Sequence, residues 1–64
     1  MNITVYKDGK QVYQGDWNGA PTAVRDYLAS AQKHYGDDNL KAYLKSRPDP
    51  LALLMRGYTL TVDD

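Results

Sequence analysis

Apolar and polar residues alternate near both ends of the chain and follow a helical period in between. At 2–7, Ile3 and Val5 fall on one side and Thr4 and Tyr6 on the other, the period of two that a half-buried strand requires. Asp8-Gly9 follows and suits a type I′ turn, in which both central residues need positive φ. Residues 10–14 return as a second strand. A two-residue loop pairs Lys7 with Lys10, Val5 with Val12 and Thr4 with Tyr13. Ile3, Val5 and Val12 then share one face of the hairpin, and Thr4, Tyr6, Gln11 and Tyr13 share the other. Gly15, Asp16, Trp17, Asn18 and Gly19 break the pattern and read as a loop.

Past this loop, Val24, Tyr27, Leu28, Ala31 and Tyr35 recur at helical spacing and build an apolar stripe. Pro21 suits the first helical position, where its missing N–H costs nothing, and Thr22 is a competing cap. Lys33 and His34 suit the negative end of the helix dipole, and Gly36 suits the stop. Asp37-Asp38 caps a second helix with Leu40, Tyr43 and Leu44 on its apolar face, and Pro48 ends it. Asp49-Pro50 opens a third helix carrying Leu51, Leu54 and Met55, closed by Gly57. It is short and apolar nearly all round, so it is expected to be deeply packed. At 58–62, Tyr58, Leu60 and Val62 alternate with Thr59 and Thr61 as a last strand.

The order β-β-α-α-α-β predicts an α+β fold: a β-hairpin, two or three short helices and a third strand. These form a three-stranded antiparallel or mixed sheet with helices on one face, over Ile3, Val5, Val12, Leu60 and Val62. The pattern leaves the third strand free to lie beside the first or the second. The 64 residues make a single small domain, 1–64, with a thin core.

Composition narrows the chemistry. With no cysteine there is no disulfide staple and no thiolate zinc site, and stability falls to packing, caps or a partner subunit. Six tyrosines and one tryptophan stand against no phenylalanine, a usage that fits half-buried rings and contact surfaces. All eight acidic residues are aspartate, a cap and turn former, and eight basic residues balance them to zero net charge. A neutral chain has no strong field for nucleic acid or membrane. No apolar run approaches the ~20 residues of a membrane span, and the start, Met1-Asn2-Ile3-Thr4, lacks a secretion signal. Cytoplasmic location is the expectation.

Candidate catalytic groups are few. His34 is the one histidine, and Ser30, four residues before it, or Ser46 would have to serve as nucleophile with no oxyanion-hole motif beside them. The carboxylate pairs Asp37-Asp38 and Asp63-Asp64 are explained by a cap and a tail. His34, Asp37 and Asp38 match neither a zinc nor a calcium spacing, and no glycine-rich phosphate loop occurs. Neither an enzyme, a metal site nor a cofactor is expected.

Two surfaces remain. Lys33, Lys41, Lys45 and Arg47 against Asp37 and Asp38 leave residues 33–47 at +2, with Tyr35 and Tyr43 near enough to stack bases. The other is the outer sheet face of Thr4, Tyr6, Gln11, Tyr13, Thr59 and Thr61, where tyrosines bring contact area at low entropic cost. Trp17 either closes the core edge, the favoured reading for a lone tryptophan, or joins that face.

The expectation is a non-enzymatic protein-binding module. It would act as a stoichiometric inhibitor of a larger protein or complex, of the anti-CRISPR type common among phage and mobile-element proteins. Tyr6, Gln11, Tyr13 and Trp17 are its expected anchors, and Lys41, Lys45 and Arg47 its charged rim. The alternatives are a small nucleic-acid-binding regulator using Lys33, Lys41, Lys45 and Arg47, and a structural homo-oligomer, since a thin core gains from a second copy.

Overall fold

The computed structural model describes residues 1–46 and 49–64; Arg47 and Pro48, the expected end of the second helix, lie outside the described residues. Strands β1 (Asn2–Lys7) and β2 (Lys10–Asp16) form the hairpin. A 3₁₀ turn (Trp17–Gly19) leads to helices α1 (Thr22–Tyr35), α2 (Asp37–Ser46) and α3 (Leu51–Leu54), and strand β3 (Tyr58–Val62) closes the sheet. The sheet is wholly antiparallel in the order β2-β1-β3, so the last strand lies beside the first. Asp8 and Gly9 have φ of 51° and 86°, the two positive values of a type I′ turn.

Ile3 and Val5 on β1 and Leu60 on β3 present one buried sheet face. Onto it pack Val24, Leu28 and Ala31 of α1, at the i, i+4, i+7 spacing of one helical face, with Leu40 and Leu44 of α2 and Leu53 of α3. Together with Ala20 these make a core of ten described residues. Each fully buried leucine contributes about 1.5–3 kcal/mol relative to exposure.

The hairpin register departs from expectation at one residue. Lys7 pairs with Lys10 and Tyr6 with Gln11, but Val5 pairs with Tyr13, Thr4 with Gln14 and Ile3 with Gly15. Val12 is the extra residue of a β-bulge and is 49% exposed, so it leaves the covered face to which the pattern assigned it. Because side chains alternate with period two, the one-residue slip carries Tyr13 from the outer face to the core face, opposite Val5.

Helix starts are displaced by one residue. Pro21 and Pro50 occupy the caps themselves in extended conformation, without a side-chain cap hydrogen bond, and Thr22 and Leu51 begin the helices. Asp37 and Asp38 sit inside the first turn of α2, where their charge faces the positive end of its dipole. Only Gly36, at φ 81°, separates α1 from α2.

The largest departure is α3. One turn long, it buries Leu53 alone; Leu51, Leu54 and the capping residue Met55 are 70%, 48% and 79% exposed. Four residues make a single helical turn, so one side chain turns inward and its neighbours cannot follow. The expectation of a deeply packed third helix is corrected accordingly.

Candidate functional site

The outer face of the sheet holds Tyr6, Gln11, Thr59 and Thr61 around Thr4, with Gln14 in the place assigned to Tyr13. Thr4 lies at its centre and is only 5% exposed. Its hydroxyl donates to the Asp63 carboxylate at 2.6 Å, which satisfies the one polar group the central strand buries. Tyr6 is half-buried and Gln11 exposed. A continuous tyrosine face is therefore absent, because only Tyr6 of the expected pair points outward.

Tyr13 is held on the opposite side. Its hydroxyl donates to the Asp16 carbonyl at 2.7 Å. Its ring lies against Gly15, where an added Cβ would come 2.9 Å from the hydroxyl, and against Gly19, where a Cβ would collide with it. Tyr13 and Trp17 are both half-buried and packed against the core. The Trp17 N–H donates to the Met1 carbonyl at 3.0 Å, tying the 3₁₀ turn to the start of β1.

The described members of the expected basic cluster lie on two helices. Lys33 is exposed at the end of α1, and Lys45 is exposed on α2. Lys41 is engaged by Asp64 at 3.4 Å. Asp64 also accepts the Asn2 N–H at 3.1 Å. That hydrogen bond and the Lys41 ammonium hold the Asp64 carboxyl below the ordinary carboxylate range. Arg47, the fourth member of the expected cluster, lies outside the described residues. Tyr35 and Tyr43 stack on each other with centroids 5.6 Å apart, so each offers a single face to any other ring. His34 meets Tyr35 edge-on at 4.8 Å. Beside them Tyr27 is half-buried, and burial first, then its neighbours Tyr43 and Tyr35, push its phenol above the ordinary value.

Beside this tyrosine group a cleft of about 370 Å³ opens between α1 and α3. Ala23, Tyr27, Ala52 and Leu53 give it apolar walls. Ser30, Asp26 and Arg56 add a hydroxyl and one charge of each sign. Ser30 and His34 make no hydrogen bond to each other among the described residues. Among the described residues no three His or Asp side chains gather as metal ligands. Among the described residues no helix is long and apolar enough to cross a membrane.

The residues that sequence reasoning missed are Leu51, Leu54 and Met55, the exposed apolar ridge, with Asp26 and Arg56 at the adjoining cleft. The signal was present in Pro50 and Gly57, which bracket six residues and leave room for little more than one turn. Compared with protein-family models, with curated proteins and with solved structures, the chain finds no match.

Proposed function

We propose that this protein is a cytoplasmic, non-catalytic protein-binding module that docks through the α3 ridge and the cleft beside it. The observation that carries the reading is the exposure of Leu51, Leu54 and Met55 on one turn, in a chain whose core holds ten described residues. Apolar side chains grouped in this way mark interaction surfaces. Burying what each of them still exposes would return at most about 1.5–3 kcal/mol, least for Leu54 at 48% exposure. Three such anchors at the centre of an interface are enough to dominate an affinity. Tyr6 and Gln11 on the outer sheet face and Lys45 on α2 are secondary contacts in this reading. Action as a stoichiometric inhibitor of a larger machine, anti-CRISPR proteins included, is its narrower form.

The test is capture from lysate, with and without nuclease treatment, by immobilised wild-type protein, Met55→Glu and Gln11→Glu. We expect a stoichiometric protein partner that Met55→Glu loses and Gln11→Glu keeps. Loss with Gln11→Glu alone would move the site to the sheet. Capture abolished by nuclease would replace the reading with nucleic-acid binding through Lys33 and Lys45.

A further inference from the structure

The α3 turn carries a convex and a concave surface side by side. Ala52, Leu53 and Arg56 line the cleft, while Leu51, Leu54 and Met55, interleaved with them in sequence, stand out into solvent. Resting on the protein-binding reading, we infer that the occupant of this surface is a second copy of the chain. A two-fold axis beside α3 seats Met55 of each copy in the other's α1–α3 cleft.

A two-fold interface must be self-complementary, the same patch serving both sides. Here the knob and the hole are neighbours on one element, so a single rotation engages both. Methionine is unbranched and adapts to an irregular apolar recess, and the cleft, at about 370 Å³, has room for it. The cleft also carries opposite charges. Asp26 comes from α1 and Arg56 from the turn that follows α3. Arg56 makes no ion pair among the described residues, and Asp26 has only its sequence neighbour Arg25, at 3.7 Å. The two-fold brings Asp26 of each copy toward Arg56 of the other, giving two cross-pairs. With zero net charge, no long-range repulsion opposes the encounter. Because α3 is a single turn, the contact belongs at the low end of interface sizes, under about 1,200 Å² in total, and the dissociation constant is expected on the order of 100 μM.

Sedimentation equilibrium between about 10 μM and about 1 mM brackets that value. The wild-type mass should climb from monomer toward dimer. Met55→Glu, at a position 79% exposed and so harmless to folding, should weaken association by at least about tenfold. Asp26→Lys and Arg56→Glu should each weaken it by about threefold or more, and mixing the two variants in equal amounts should restore it, since the mixed dimer regains both opposite-charge pairs. A wild type that stays monomeric at about 1 mM, or a dimer indifferent to Met55→Glu and to the charge exchange, overturns the inference. If the chain is monomeric while lysate capture still depends on Met55, the second copy is excluded and the protein-binding reading stands. If neither depends on Met55, both fall.

Discussion

Two short segments, the β2 end of the hairpin and the α3 turn, dispose of their apolar surface in opposite ways. In β2 the aromatic residue is turned inward. A bulge at Val12 places Tyr13 opposite Val5, and Gly15 and Gly19 leave the space its ring fills. In α3 the aliphatic residues are turned outward, with Leu53 buried and Leu51, Leu54 and Met55 in solvent. Hydropathy alone would assign the two segments the other way round. The difference is geometric. An extra residue in a strand inverts the side on which the next side chain emerges, and a single helical turn has only one inward direction to offer.

The contrast can be broken most forcefully inside α3. Leu53→Ala removes a core side chain and should cost about 2–5 kcal/mol, a large part of the stability of a domain this small. Leu54→Ala, one residue on and 48% exposed, should stay within about 1 kcal/mol. Urea midpoints compare the two directly, and equal losses would mean that α3 is packed on both sides. A smaller effect is expected at the hairpin. Gly19→Ala drives a Cβ into the Tyr13 hydroxyl and should cost about 1–3 kcal/mol. Tyr13→Phe alone loses one hydrogen bond, worth about 0.5–1.5 kcal/mol. In the double variant the colliding oxygen is gone, so the costs should fall short of their sum by about 1 kcal/mol; strict additivity would show that Tyr13 does not sit against Gly19.

The smallest effect concerns pH. The Asp64 carboxyl is held low by the Asn2 N–H and then by Lys41. A depressed folded value stabilises the folded state above the unfolded carboxylate range, and the gain is lost as pH falls through the folded value. An NMR titration should find the Asn2 amide shift moving with a midpoint below that of an unstructured aspartate, and Lys41→Ala should raise that midpoint slightly. A midpoint at the unstructured value would remove the Asn2–Asp64 tie.

Much of the architecture was legible in residue order. The hairpin turn follows from Asp8-Gly9, the main helix from Val24, Leu28 and Ala31, and the last strand from Leu60 and Val62 alternating with Thr59 and Thr61. The neighbour of β3 was not, because alternation describes a strand's faces and is silent about its edges. Val12 misled because a valine in alternating sequence looks the same whether it is paired or bulged, and the space that admits Tyr13 depends on glycines two and six residues away. The candidate site was hidden for a related reason. A run of leucines reads as core unless the length of its helix is counted, and that length was written in Pro50 and Gly57 rather than in the leucines themselves.

The sheet order has a further consequence in time. Strand β1 is first in sequence and central in space, flanked by β2 and by β3, and Ile3 pairs with Val62. The hairpin can close locally within microseconds, but the second flank of β1 must wait until β3, with three helices in between, is made and brought back. A domain rich in local helical contacts thus carries one long closure, and its folding rate should be set by that event more than by its helices. On a ribosome, β1 would keep one edge bare until β3 emerges.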